Sequence, residues 1–236
     1  MIRVSGLEDR VAVVTGAAGG IGREIVAGLA ANGARVAGLD LVPPAYDGVD
    51  GYACDVADEH AVDAAFTAVE ADLGAPTVLV LNAGVFPVVP FEEISCELWD
   101  RTLATNLTGA FLCARRALPA MREAGYGRVV AMGSTAGRTG GTENVAACAA
   151  SKAAIMALAK SIATEYAPYG ITSNALAPAF IETEMIRERH HYARGIPAGR
   201  LGRPEEVAAV AVMLCSAEAA FMTGEIVDVN GGFHID

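Results

Sequence analysis

The chain has 236 residues, 53% of them hydrophobic, and a formal net charge of −11 from 28 acidic and 17 basic side chains. That length suits one α/β domain with a large buried core. The acidic balance argues against nucleic acid as a partner, because non-specific binding needs a dominant positive field.

In chain order, Val11–Thr15 predicts a first strand, and the glycine-rich stretch after it opens a helix over Gly20–Asn32. Arg35–Asp40 and Gly51–Cys54 read as strands, Asp58–Leu73 as a helix, and Thr77–Leu81 as the next strand. A long helix over Cys96–Ala124 precedes the strand Arg128–Gly133, and a helix over Ala147–Ala167 precedes the strand Ile171–Leu176. The charged segment Glu182–Arg203, broken by Gly195, Pro197 and Gly199, predicts an insertion serving as a substrate lid. Pro204 with Glu205 and Glu206 opens a helix to Cys215, with proline in the first turn and acids at the positive dipole end. Glu225–Val229 is the last strand. Most strands are continuous apolar runs, as when helices cover both faces of a sheet. The expectation is α/β: one doubly wound parallel sheet of about seven strands, forming a single domain over 1–236.

The five cysteines, Cys54, Cys96, Cys113, Cys148 and Cys215, have no metal-ligand spacing, so no metal is expected. No apolar run is expected to reach a membrane span, since Gly, Asp or Arg interrupts each one. Met1-Ile-Arg-Val-Ser-Gly shows no signal-peptide pattern, which leaves the cytoplasm as the default location.

Thr15-Gly16-Ala-Ala-Gly19-Gly20-Ile21-Gly22 stands between a strand and a helix, the context in which glycines cradle a pyrophosphate. Gly16 allows a tight turn, Gly20 a close backbone approach, and Gly22 close helix packing. Asp40 ends the second strand at the spacing of an acid that binds ribose hydroxyls. It would repel a 2′-phosphate, and Ala17, Ala18 and Leu41-Val42-Pro43-Pro44 offer no compensating cation. NAD(H) is therefore expected over NADP(H).

The whole chain resembles the short-chain dehydrogenase/reductase family. Thr15–Gly22 is similar to its TGxxxGxG loop, and Asn82-Ala83-Gly84 to its Asn-Ala-Gly motif, which supports the sheet and lines the cofactor. The resemblance makes Asn106 the asparagine holding relay water, Ser134 the serine bonding the substrate oxygen, and Lys152 the lysine binding the nicotinamide ribose. Asp55-Val56 resembles the family's adenine-edge contact, or is a helix cap before Asp58-Glu59. Asn174–Thr183, with the cofactor-lining Pro178, resembles the Pro-Gly segment that meets the nicotinamide amide through Ile181 and Thr183, with Ala179 in place of the usual glycine. Thr223-Gly224 and Asn230-Gly231-Gly232 resemble the strand and turn that pack across a two-fold axis in family tetramers. The resemblance implies a Rossmann fold, NAD as cofactor, a small-molecule alcohol or ketone as substrate, and a homotetramer.

One residue departs from that pattern. The family motif is Tyr-x-x-x-Lys, and here Cys148 precedes Lys152. The tyrosine supplies a proton during carbonyl reduction, a contribution of about 10²–10⁴-fold in rate. A thiol is acidic enough, but its sulfur extends roughly 3 Å from Cα against roughly 6.5 Å for a tyrosine oxygen. Several readings stand: a dehydrogenase with its catalytic tyrosine replaced, a protein using another donor or none, a dinucleotide-binding protein without turnover, or a nucleophilic Cys148.

Val85–Phe91, Thr135–Val145 and Glu182–Arg203 are expected to build the substrate pocket. Val85–Phe91 either walls it or packs the next helix. Arg187, Arg189, Arg194, Arg200 and Arg203 are either a solvated face or an attraction for an acidic or thioester substrate. His190 and His191 lack a third ligand and read as part of a solvated lid, and Trp99 as helix packing.

Overall fold

The computed structural model describes residues 2–142, 144–186 and 190–235, without the side chains of Met185, His190, His191 and Tyr192. Seven parallel strands form one sheet in the order β3-β2-β1-β4-β5-β6-β7. They are β1 (Val11–Thr15), β2 (Arg35–Asp40), β3 (Asp50–Ala53), β4 (Val78–Leu81), β5 (Gly127–Met132), β6 (Ile171–Pro178) and β7 (Ile226–Val229). The order reverses between β1 and β4, so the loops leaving these strands diverge and open a crevice above the sheet.

The central strands are apolar throughout because both sheet faces are covered. In β1, Val11 and Val13 pack into one core with Phe66, Met121 and Ile155. Ala12 and Val14 face the opposite core, with Ile25, Leu29 and Val212. The first core lies under the helices α2 (Glu59–Asp72), α4 (Gly109–Ala124) and α6 (Ala146–Tyr166). The second lies under α1 (Gly20–Ala30) and α7 (Pro204–Leu214). This three-layer arrangement agrees with the sequence expectation.

The helix expected over Cys96–Ala124 is divided. α3 (Cys96–Leu103) runs into a π-helical turn at Ala104–Thr108, where Gly109 N–H bonds to Ala104 O, and α4 begins directly after it. A short helix α5 (Thr135–Thr139), absent from the sequence reading, comes after β5. The 182–203 segment contains 3₁₀ turns at Glu184–Ile186 and His190–Gly195. Ile186, Ile196 and Leu201 from it form a small core with Phe86, Phe180 and Phe233. Its last part is fixed to α7, whose Glu206 accepts from Arg203 N–H at 2.8 Å.

Contrary to the sequence reading, Ala146–Tyr169 is apolar and long enough, by length and composition, to cross a membrane. Alanines raise its hydropathy, and only Lys152, Lys160 and Glu165 interrupt it. Within the fold, 56% of its apolar window is buried inside the protein.

Candidate active site

The crevice at the strand reversal is a cleft of about 1050 Å³, lined from the glycine loop to the start of α6. After Thr15 the chain must turn sharply into α1. Gly16 meets this need with φ 65°, and a Cβ there would come 2.9 Å from Ala83 Cα. Asn82 joins the two loops: its Nδ2 donates to Thr15 O and Gly16 O at 3.0 Å each. Thr15 Oγ1 in turn accepts from Asn82 N–H and Ala83 N–H at 3.0 Å each. Gly16, Gly20, Ile21, Asn82, Ala83 and Gly84 line the cleft. Gly22 does not; a Cβ on it would lie 2.0 Å from Gly16 O, so its role is packing beneath the loop.

Asp40, at the end of β2, faces the same cleft. Its Oδ2 accepts from Ala18 N–H at 2.9 Å and its Oδ1 from Leu41 N–H at 2.8 Å. Arg35 lies at the opposite end of β2, where Nη2 donates to Asp72 O at 3.3 Å. Asp55 and Val56 also line the cleft. Asp55 is not the helix cap: its Oδ1 accepts from Ala57 N–H at 2.9 Å, while Asp58 caps α2 by accepting from His60 and Ala61.

On the opposite wall, Ser134 leaves β5 and caps α5. Its Oγ accepts from Ala136 N–H at 3.1 Å and lies 3.5 Å from Pro178 O, to which its hydroxyl can donate. Lys152 projects from α6, where burial pushes its ammonium pKa down and Cys148 opposes the shift. Nζ donates to Met132 O at 2.6 Å. A Cβ on Gly84 would lie 3.1 Å from Asn106 Oδ1 and 3.3 Å from that nitrogen, a tight fit to both side chains.

Cys148 also lines the cleft although it is only 3% exposed. Burial pushes its thiol pKa up, outweighing the pull of Lys152, so the sulfur keeps its proton at neutral pH. A ready thiolate nucleophile is not what this environment favours.

Asn106 is fully buried in the π-helical turn and is not part of the cleft lining. Its Oδ1 accepts from Val85 N–H at 2.8 Å, and its Nδ2 donates to Val85 O at 3.0 Å and Ser151 Oγ at 2.9 Å. Ser151 Oγ donates to Cys148 O at 2.8 Å. Asn106 thus connects the loop after β4 to the backbone at position 148.

Pro178, Ile181 and Thr183 complete the lining after β6. Thr183 Cγ2 lies 3.3 Å from the position of a Cβ on Gly20, so this segment meets the glycine loop. Ala179 is accommodated without left-handed backbone, and its N–H donates to Val229 O at 3.2 Å.

Val85 and Phe86 wall the cleft, whereas Phe91 is exposed and opens a 3₁₀ turn. Thr135, Ala136, Gly141, Thr142 and Val145 contribute from the expected pocket loop. Trp99 is half-buried and is not among the lining residues. Arg194, Arg200 and Arg203 do not line the cleft, and Arg200 instead forms a forked pair with Glu206 at 2.8 and 2.6 Å. Arg187, Arg189 and the side chains of His190 and His191 lie outside the described residues.

Sequence reasoning missed Arg23, Arg101 and Thr105 in the lining. Arg101 and Thr105 are four residues apart on the rod carrying Asn106, a helical spacing that was available as a signal.

A parallel sheet with this reversal, a glycine loop closed by an acid, and a serine and lysine across the cleft define a dinucleotide-binding oxidoreductase scaffold. A family model described as Enoyl-(Acyl carrier protein) reductase matches residues 16–234. The chain belongs to the short-chain dehydrogenase/reductase family. It is 39% identical to D-threitol dehydrogenase of Mycolicibacterium smegmatis, over 97% of this chain and 94% of that protein. It is 41% identical to a 3-oxoacyl-(acyl-carrier-protein) reductase of Mycobacterium tuberculosis, over 95% of this chain and 92% of that protein. The structure of a Brucella melitensis 3-ketoacyl-(acyl-carrier-protein) reductase complexed with NADH is similar, with TM-score 0.93, 32% identity and coverage of 98% and 100% of the two chains.

Proposed function

We propose that this chain is an NAD(H)-dependent oxidoreductase that interconverts a secondary alcohol and a ketone, with its proton step slowed by Cys148. The carrying observation is one cleft that joins a glycine cradle closed by Asp40 to a wall bearing Ser134 and Lys152. The cradle fits a pyrophosphate. Gly16 and Gly20 turn with positive φ, a Cβ on Gly19 would meet nothing within 4 Å among the described residues, and α1 presents its N-terminus there. The relative whose structure is complexed with NADH supports the same choice.

When bound, the nicotinamide dinucleotide donates or accepts the hydride. Gly16, Gly20 and Ile21 would hold the pyrophosphate, with Gly22 supporting the loop from below. Asp40 would receive the adenosine ribose hydroxyls, and Asp55 and Val56 would border the adenine. Asn82, Ala83 and Gly84 would line the middle of the cofactor, Lys152 would bind the nicotinamide ribose, and Pro178, Ile181 and Thr183 would lie toward the amide. Ser134 donates to the substrate oxygen. Cys148 holds a proton but stops short of that oxygen, so a water must carry it across. Asn106 positions this wall through Val85 and Ser151.

The D-threitol dehydrogenase relative supports a small polyol as substrate. The apolar wall of Phe86, Phe180 and Ile186 favours a 3-oxoacyl thioester as the second reading, in keeping with the 3-oxoacyl reductase relative. The 182–203 segment acts as the lid of a single catalytic domain. A homotetramer working in the cytoplasm is part of the same reading; the large apolar side chains of Phe111, Phe221 and Ile235, exposed in one chain, support the association.

Titrating NADH and NADPH separately by fluorescence tests the cofactor, and tighter NADPH binding would overturn the Asp40 argument. A panel of alcohols and ketones run on a Cys148→Tyr variant tests the reaction. No turnover across the panel despite NADH binding would favour a dinucleotide-binding role without redox chemistry.

A further inference from the structure

The connection between β2 and β3 is seated on the sheet. A Cβ on Gly38 would come 2.7 Å from the Pro44 ring, and one on Gly51 would lie 2.1 Å from Pro44 O, so Pro44 occupies space that side chains would fill. This seating brings Tyr46 behind the glycine loop, where its hydroxyl donates to Ala17 O at 2.7 Å. Asp40 accepts from the next residue, Ala18, at 2.9 Å. Two side chains from outside the loop thus hold consecutive loop residues. Arg23 lines the cleft together with Asp40, and its guanidinium carbon lies 5.0 Å from the Tyr46 ring centre. Burial raises the Tyr46 pKa, so the hydroxyl remains a donor to Ala17.

A cation over an aromatic face is held by the ring's electron density. Held there, Arg23 spends less of its time near the Asp40 carboxylate or near an anion beside it. Asp40 alone would reject a 2′-phosphate, yet Arg23 is a cation in reach of the same cleft. Tyr46 is the residue that reconciles the two.

We propose that Tyr46 determines dinucleotide specificity: its ring holds the Arg23 guanidinium aside and its hydroxyl braces Ala17, so the adenosine end presents Asp40 and rejects a ribose 2′-phosphate. The proposal rests on the NAD(H) reading above. Removing the ring frees Arg23 to offset Asp40 and to reach a phosphate, whereas removing only the hydroxyl loosens the loop for both dinucleotides.

Fluorescence titrations of NADH and NADPH with four variants test this. Tyr46→Leu should lower the ratio of Kd for NADPH to Kd for NADH by roughly fivefold, the size of one exposed cation–π contact. Raised salt should erase the gain by screening, and Tyr46→Leu/Arg23→Gln should return the ratio to the wild-type value. Tyr46→Phe should weaken both dinucleotides in parallel, leaving their ratio unchanged. Arg23→Gln alone should also leave the ratio nearly unchanged, and it needs no change at the brace. A Tyr46→Leu ratio equal to wild type, or a shift that survives Arg23→Gln, overturns the proposal. So does a selective loss of NADPH binding in Arg23→Gln alone, which would mean Arg23 already reaches the phosphate. Wild-type protein that prefers NADPH would instead overturn the NAD(H) reading itself.

Discussion

Restoring a tyrosine at position 148 is the most informative single change. The thiol extends roughly 3 Å from Cα and a phenol oxygen roughly 6.5 Å, a difference longer than one hydrogen bond. Position 148 lies near the start of α6 on the wall of a cleft of about 1050 Å³, so the longer side chain has space ahead of it. Cysteine and tyrosine differ little in helix propensity, and the comparison reports on chemistry more than folding. A directly placed general acid contributes about 10²–10⁴-fold, or about 3–5 kcal/mol. Cys148→Tyr should therefore raise kcat by at least ~10²-fold, with a much smaller change in the Kd of NADH. Steady-state kinetics on an alcohol–ketone pair, alongside fluorescence titration, separates the two effects. The alcohol-oxidation rate of the variant should also rise with pH through an apparent pKa below the ordinary phenol value of about 10, because Lys152 favours phenolate. Equal turnover in both forms would show that the proton never passes through position 148. Loss of turnover with NADH binding intact would mean that the pocket is shaped around the thiol.

Gly22→Ala should weaken NADH binding at least ~10-fold and cost about 1–3 kcal/mol of stability, since its Cβ would lie 2.0 Å from Gly16 O; wild-type binding and unfolding midpoint would refute the packing role. Alkaline pH should destabilise the fold through its buried thiols. Burial pushes Cys113 and Cys215 up from 9.0 to about 12, so their contribution is fully present below the unfolded value and is lost as pH rises toward the folded one. Each contributes a slope of at most ~1.4 kcal/mol per pH unit, and Lys152, with its pKa lowered, acts in the opposite sense. Urea unfolding at successive pH values should thus show a shallower alkaline decline for Cys215→Ala than for wild type; parallel curves would refute it. Light scattering at micromolar concentration should give a tetrameric mass, and a strictly monomeric one would refute the association.

The sequence made the sheet legible because its central strands are buried on both faces. β1 and β2 have the predicted limits, while β6 runs two residues beyond Leu176, where Ala177 and Pro178 pair with Asp228 and Val229. The glycine loop and Asn82-Ala83-Gly84 were readable because each is contiguous and its backbone role comes from residue type. α5 is not legible because Thr-Ala-Gly-Arg-Thr is too short to show a period, and Ser134, which caps it, matches the family's substrate-bonding serine. Arg23 was unreadable for a different reason: its relation to Asp40 passes through Tyr46, whose ring meets the glycine loop only in the folded chain, beside a Pro44 packed on the sheet.

The π-helical turn at Ala104–Thr108 places part of the active wall under the control of chain length rather than residue identity. A hydrogen bond spanning five residues inserts one residue into an otherwise α-helical rod and rotates the rest of the rod by roughly 100°. The rod can then do two jobs that a uniform helix would set out of phase. Thr102 enters the interior ahead of the turn, and Ala110, Cys113, Ala114 and Ala117 pack beyond it. Between them Asn106 reaches both the loop after β4 and Ser151. Two chains with every motif residue in common, but differing by one residue between positions 104 and 108, would share helix propensities and lose this phase relation. In such a pair the difference in activity would come from an insertion or deletion, which a comparison of motif residues alone would not detect.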